Sequence, residues 1–109
     1  MFFPTAGTEA VNQAACTAAQ ALTVPYRVRS TAKNGLYSWA VQNNLPAILI
    51  ERGGMGTWSE PEVDACCEDV RSLLRHLEIL PGGNLTREQE EIVEARYVEA
   101  PPTDYGFQR

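Results

Sequence analysis

The sequence predicts an α/β fold, a partial three-layer α/β/α unit with a small, mostly parallel sheet. Two observations support this prediction. Segments with helical spacing of apolar residues alternate with short segments typical of strands. A chain of 109 residues is also limited to one domain at most. Because only two segments have a clear strand pattern, the sheet edges would be exposed, and we expect either a larger fold or self-association through those edges.

The first predicted helix covers residues 6–22, which are rich in alanine. Its apolar residues recur at helical spacing and form a slim face that can pack close to a sheet, with Thr5 or Thr8 as the cap. Residues 24–30 then alternate. Val24, Tyr26 and Val28 fall on one face of this segment, and Arg27 and Arg29 on the other. The alternation predicts a strand with one solvated face or at an edge position.

A second, short helix is predicted over residues 36–43. Its apolar side consists of Leu36, Trp39 and Ala40. Pro46 prevents the helix from restarting. Residues 47–50 form a continuous apolar run, which is typical of a strand buried on both faces, and we expect this strand to be central and parallel.

The clearest helix begins at Ser59 and ends before Pro81. Ser59 and Glu62 form a capping box, and Pro61 lies in the first turn, where its missing N–H is not needed. The apolar stripe, which we expect to pack on the core, consists of Val63, Cys66, Cys67, Val70, Leu73, Leu74 and Leu77. The sequence thus predicts a long amphipathic helix.

The remaining pattern is weaker. Thr86 and Gln89 form a second capping box, which predicts one further helical turn. Residues 92–100 are predicted to be a strand, which Pro101 would end.

Composition excludes several classes of protein. The chain has 9 Lys and Arg against 14 Asp and Glu, a net charge of −5, which argues against a nucleic-acid binder. No apolar run approaches the ~18 residues of a membrane span, and no signal-peptide pattern is present. Three cysteines give an odd count that frames no disulfide scaffold, so we expect a reduced, cytoplasmic protein.

A self-contained zinc site is also excluded. A catalytic zinc takes three protein ligands and a structural zinc four. The chain has one histidine, His76, and it belongs to neither an H-x-x-E nor an H-E-x-x-H motif. His76 is expected to have a structural role near a helix carboxyl end, and the adjacent Cys66 and Cys67 are expected to pack in the core.

The end of the predicted central strand is where we expect chemistry. Glu51 directly follows the apolar run, and ligands in open α/β sheets bind beyond the carboxyl ends of strands. A carboxylate there can take a proton from water and return it to a leaving group. The alternative is that Glu51 only pairs with Arg52 or another cation at the rim. Tyr37 could direct its hydroxyl toward the same strand ends.

A nucleotide site is disfavoured. Gly54, Gly56 and Ser59 imitate a dinucleotide-binding fingerprint, but the third glycine is missing and no acidic strand end follows about twenty residues later.

Residues 35–40 and 44–54 resemble the last catalytic segment of the succinylglutamate desuccinylase/aspartoacylase family, which are zinc hydrolases related to the metallocarboxypeptidases. The resemblance covers about residues 20–80. It implies a fragment of a zinc-carboxypeptidase-like fold. Residues 1–100 would be the C-terminal part of the catalytic domain, and residues 101–109 a tail leading to an absent C-terminal β domain.

The resemblance also implies site residues. Glu51 matches the glutamate that activates zinc-bound water and passes its proton to the departing amine, and Tyr37, Leu36 and Arg52 look like substrate-pocket residues. The family's H-x-x-E motif and later histidine have no counterpart in this chain. We therefore expect zinc and an N-acyl amino acid-like substrate only in the intact enzyme, and no metal, nucleic acid or membrane bound to this chain. The alternative is a non-catalytic α/β interaction or regulatory module.

Overall fold

The computed structural model describes residues 1–83 and 88–93. Its elements, in chain order, are β1 (Phe2–Pro4), α1 (Glu9–Gln20), β2 (Tyr26–Ser30), α2 (Leu36–Gln42), α3 (Glu60–His76) and β3 (Glu90–Ile92). The prediction of an α/β class with a small parallel sheet is confirmed. No helix among the described residues is both long enough and apolar enough to span a bilayer. The tail that was predicted at 101–109 lies outside the described residues.

The three strands form one parallel sheet in the order β1-β2-β3. Phe2 pairs with Val28, and Tyr26 pairs with Glu90. The strand predicted at 24–30 is therefore confirmed as β2, but its edge alternative is wrong because β2 lies between the other two strands. Each parallel pair is joined by a crossover, as in other α/β units.

The two arginines of β2 both bind one glutamate of β3. The Arg27 guanidinium lies 2.7 Å and that of Arg29 2.9 Å from the Glu91 carboxylate. The hydrogen bond from Arg27 holds the pKa of Glu91 below its ordinary value. The Arg27 side chain is only 11% exposed and lies 6.0 Å from the centroid of the Phe3 ring. Arg27 is therefore a sheet-packing residue and not the solvated side chain that the alternation suggested.

The first strand, β1, was not predicted. It has three residues, too few for a periodic pattern, yet Phe3 is 3% exposed and Pro4 is buried. The N–H of Val28 donates to the Met1 carbonyl, and the N–H of Thr5 donates to the Ser30 carbonyl, so the pairing extends beyond both ends of β1.

Residues 47–50 do not form the predicted central parallel strand. They are half-buried, and Leu49 forms one isolated antiparallel bridge with Phe2, whose two N–H···O distances are 2.7 and 2.9 Å. The next hydrogen-bonded pair of such a ladder would need an N–H at position 4, and Pro4 has none. The ladder therefore stops after one antiparallel bridge, and the prediction of a central parallel strand was wrong.

The end of the described chain also differs from its prediction. β3 is Glu90–Ile92, whereas the predicted strand began at residue 92, and residues 94–100 lie outside the described residues. Gln89 is not part of a helical turn, and Thr86 is outside the described residues. The Gln89 side-chain amide instead donates toward the carbonyls of Ala19, Leu22 and Val24, at 2.9–3.2 Å. It thereby satisfies carbonyl groups at and beyond the carboxyl end of α1.

α1 lies close to the sheet as predicted, but it covers Glu9–Gln20 and not residues 6–22. Thr8 is its cap, since its hydroxyl accepts from the Val11 N–H at 3.5 Å. Ala15 and Ala19 are fully buried, which lets the helix lie close to the sheet. The core cluster consists of Met1, Phe3, Ala19, Leu22 and Val24.

α2 forms where it was predicted but buries a different face. Ser38 and Val41 are its buried residues, whereas Leu36 is 83% and Trp39 58% exposed. The helix lies against the loop at Gly7, where an added Cβ would be 2.7 Å from the Val41 carbonyl oxygen. This close approach requires glycine at position 7 and sets the side of α2 that contains Ser38 and Val41 against the loop.

α3 turns most of its predicted core face outward, and of that stripe Leu73 packs against the core cluster. The helix buries Asp69 and Ser72, while Val63, Val70 and Leu77 are 42%, 50% and 54% exposed. Cys66 and Cys67 are exposed as well, so their expected place in the core is wrong. Ser59 is the cap residue, but its side chain makes no capping hydrogen bond. The polar contacts of Asp69, described below, explain this orientation.

We expect Leu22→Ala to lower the free energy of unfolding by about 3 kcal/mol, because it leaves a cavity beside fully buried Ala19. Leu36→Ala is the matched control, and it should change that free energy by less than about 0.5 kcal/mol since Leu36 is 83% exposed. Urea unfolding followed by circular dichroism measures both. Equal effects of the two substitutions would show that the core is elsewhere.

Candidate functional site

Glu51 and Arg52 are adjacent but have opposite surroundings. Glu51 is exposed, whereas the Arg52 side chain is 15% exposed. The bridge between Leu49 and Phe2 fixes the backbone just before them. The segment therefore presents a carboxylate to solvent and a guanidinium to the interior.

The Arg52 guanidinium belongs to a compact polar cluster with Asp69 and Thr23. Its Nε donates to Asp69 Oδ2 at 2.6 Å, and its Nη2 donates to Thr23 Oγ1 at 2.9 Å. Asp69 Oδ1 also accepts from the Thr23 N–H at 2.7 Å and from the Thr23 hydroxyl at 2.8 Å. Glu62 Oε2 lies 3.7 Å from Arg52 Nη1. We call Thr23, Arg52 and Asp69 the Asp69 cluster.

The cluster stabilises the charged forms of both partners. Burial raises the pKa of the Asp69 carboxyl, but the hydrogen bonds from Arg52 and Thr23 outweigh burial and hold that pKa below its ordinary value. The hydrogen bond to Asp69 raises the pKa of Arg52. Asp69 itself is 0% exposed, so it is a buried charge that depends on these donors.

Glu51 makes no ion pair with another described residue. Glu51 does not pair with Arg52, which was the alternative prediction, because the Arg52 guanidinium bonds to Asp69. Burial lowers the pKa of the Met1 ammonium, and the nearby Glu51 charge partly opposes this shift. Glu51 is therefore an exposed carboxylate close to the start of β1.

Two of the predicted pocket residues lie in one cleft. Tyr37 and Leu36 line a cleft of about 420 Å³ between α2 and the 47–49 segment. The Tyr37 hydroxyl lies 2.9 Å from Ser30 Oγ, at the carboxyl end of β2. The cleft does not include Glu51 or Arg52 among its lining residues. The structure thus brings Tyr37 and Leu36 together and leaves the other two predicted residues outside their cleft.

A larger groove, of about 550 Å³, lies between α1, residues 46–48 and the end of α3. Its lining is apolar except for Thr17 and His76. His76 is the last residue of α3, as expected for a structural position, but its contact with this groove was not predicted. The groove was missed because it forms between elements far apart in the chain.

The described residues contain no group of three His, Cys, Asp or Glu side chains that could hold a metal ion. Cys16, Cys66 and Cys67 are all free thiols. The residues present in this part of the chain therefore do not fit a zinc ion.

No family model, curated protein or solved structure matches this chain. The candidate site is therefore described from the contacts within this chain alone.

Sequence reasoning missed Asp69 and Thr23. One signal was present: Ala65, Asp69, Ser72 and His76 recur at helical spacing and form a small, polar face of α3. The prediction for this helix considered only its stripe of seven apolar residues and did not consider this face.

We expect Asp69→Ala to lower the free energy of unfolding by about 3 kcal/mol at pH 6, because it leaves the Arg52 guanidinium and the Thr23 donors without their acceptor. Asp69→Asn should lower the free energy of unfolding by somewhat less, because the amide oxygen can still accept a hydrogen bond. Asp64→Asn, on an exposed part of the same helix, is the control and should cost less than about 0.5 kcal/mol.

The same variants test the pKa of Asp69. Because its folded-state pKa is lowered, its contribution to stability is complete above the ordinary aspartate pKa of about 3.9 and is lost as the pH falls through the folded value. Urea unfolding from pH 6 downward should show the gap between wild type and Asp69→Asn narrowing below about pH 4. A gap that does not depend on pH would contradict a charged Asp69.

Proposed function

We propose that this chain is the Glu51-bearing part of a zinc-dependent hydrolase of the succinylglutamate desuccinylase/aspartoacylase type. The intact enzyme would cleave the amide bond of an N-acyl amino acid-like substrate. One observation carries the proposal: the Asp69 cluster holds Arg52 inward, and the neighbouring Glu51 carboxylate is left in solvent. A carboxylate on a fixed backbone can accept a proton from water and return it to a leaving amine.

The zinc ligands belong, in this proposal, to residues upstream of this chain, because the described residues do not fit the metal. The chain supplies the proton-transfer group and part of the substrate pocket, and it is inactive alone. Residues 1–100 would complete the catalytic domain and residues 101–109 would lead to a β domain. We place the enzyme in the cytoplasm, since its three cysteines are free.

The cleft at Tyr37 and Leu36 supports a pocket of modest size. Its lining is largely apolar, and the Tyr37 hydroxyl adds one group that can donate or accept a hydrogen bond. Arg52 has a different part in this proposal. Because its Nε and Nη2 already donate to Asp69 and Thr23, it positions Glu51 from within and does not contact the substrate.

The second candidate is a non-catalytic α/β interaction module. The exposed apolar residues of α3 favour it, since solvent-facing valines and leucines at helical spacing are typical of a binding surface. The two candidates differ in whether Glu51 is needed for any turnover.

Zinc titration of the purified chain by isothermal calorimetry tests the assignment of the metal ligands. We expect no stoichiometric site tighter than about 1 µM, because three or four ligands are needed to hold the ion. His76→Ala should give the same weak heats as wild type. A stoichiometric, submicromolar site that His76→Ala removes would show that the chain has its own ligand set.

Substitution of Glu51 tests the catalytic role, in the longer polypeptide that this proposal requires. We expect an H-x-x-E motif in the upstream reading frame, and hydrolysis of N-acyl amino acids by the zinc-loaded protein. Glu51→Gln should lower kcat by about 10²–10⁴-fold with zinc content unchanged. Glu60→Gln, an exposed glutamate in the first turn of α3, is the control. Wild-type turnover in Glu51→Gln would overturn the role of Glu51 in proton transfer. No turnover by the unsubstituted protein would favour the interaction module.

A further inference from the structure

The outward face of α3 has the spacing of a helix–helix interface. Val63, Cys67, Val70, Leu74 and Leu77 follow one another at alternating steps of four and three residues, which places them in one line along the helix. Four of them are exposed and Leu74 is half-buried. We call these five residues the α3 seam. It lies on the side of the helix away from buried Asp69 and Ser72.

Charges beside the seam are divided by sign along the helix. Asp64 and Arg71 each follow a seam valine by one position, so they lie on the same flank, seven residues apart. Asp64 makes no ion pair with another described residue. Arg71 is 58% exposed and has only a 3.7 Å contact with Glu68. The other charges of the helix have partners within the chain: Glu62 lies 3.7 Å from Arg52, and Arg75 is 2.8 Å from Glu68.

We propose that the α3 seam is the interface between two copies of this chain, with the two α3 helices antiparallel about a twofold axis near the middle of the helix. Val63 then faces the partner's Leu74, and Cys67 faces the partner's Val70. Leu77 lies opposite the partner's Glu60, at the border of the interface. Asp64 lies beside the partner's Arg71, and the twofold axis repeats this pair. An antiparallel arrangement brings acidic and basic halves together, whereas a parallel one sets like charges side by side.

The charge pattern is what selects a second copy as the occupant. The flank of α3 is complementary to itself when reversed, so no other molecule is needed to match it. A helix of 17 residues is about 25 Å long, which gives a small interface. We therefore expect a weak dimer with a micromolar dissociation constant. This inference goes beyond the proposed function and does not depend on it.

Sedimentation equilibrium of the full chain, under reducing conditions and from micromolar to submillimolar concentration, tests the interface. The mass should rise from 12.0 kDa toward twice that value. Val70→Asp should keep the chain monomeric throughout. Asp64→Arg and Arg71→Asp should each raise the dissociation constant about tenfold or more, because each sets like charges together. The double variant, Asp64→Arg with Arg71→Asp, should return to within about threefold of wild type, since it restores both pairs in reverse.

Glu9→Arg is the control, because it makes the same change of charge in the first turn of α1 and should leave dimerisation unchanged. Circular dichroism checks that every variant is folded. A chain that stays monomeric at all concentrations would overturn the proposal. So would a dimer insensitive to Val70→Asp, which would pair through another surface such as a sheet edge. If the dissociation constant of the double variant stays as high as those of the single variants, the antiparallel arrangement is excluded.

Discussion

The buried carboxylate of Asp69 is the constraint on which the arrangement of this molecule depends. It accepts hydrogen bonds from Thr23, between α1 and β2, and from Arg52, which follows the 47–50 segment. Three separate parts of the chain are therefore held at one point. Because a buried charge is costly without its donors, the orientation of α3 is determined by this cluster. The position of Glu51 is determined by it too, since Glu51 adjoins the anchored Arg52.

This constraint explains why apolar side chains are left outside. Fully burying a valine or leucine contributes about 1.5–3 kcal/mol. Val63, Val70 and Leu77 are 42%, 50% and 54% exposed, so about half of that free energy is not realised at each of them within the described residues. Turning α3 to bury them would separate Asp69 from Arg52. A second surface, from another copy of the chain or from the rest of a longer enzyme, would bury these side chains and so provide this free energy.

Local patterns predicted the α/β class, α1, β2 and the approximate ends of α2 and α3, because caps, prolines and periodicity act over a few residues. They did not predict which face of α2 or α3 is buried, since a close contact at Gly7 and a buried ion pair decide this at long range. They also missed β1, which is too short for a pattern, and misjudged residues 47–50. Of the predicted site, Tyr37 and Leu36 share a cleft, but the anchoring role of Arg52 required knowledge of Asp69.

Pro4 has a consequence for how the protein behaves at high concentration. Parallel sheets with open borders tend to recruit strands from neighbouring molecules, and unchecked addition leads to fibrous aggregates. At the outer border of β1, Leu49 pairs with Phe2, and the proline at position 4 removes the next donor along that border. Because Pro4 has no N–H to donate, we expect a strand from another molecule to pair poorly with this edge of the sheet.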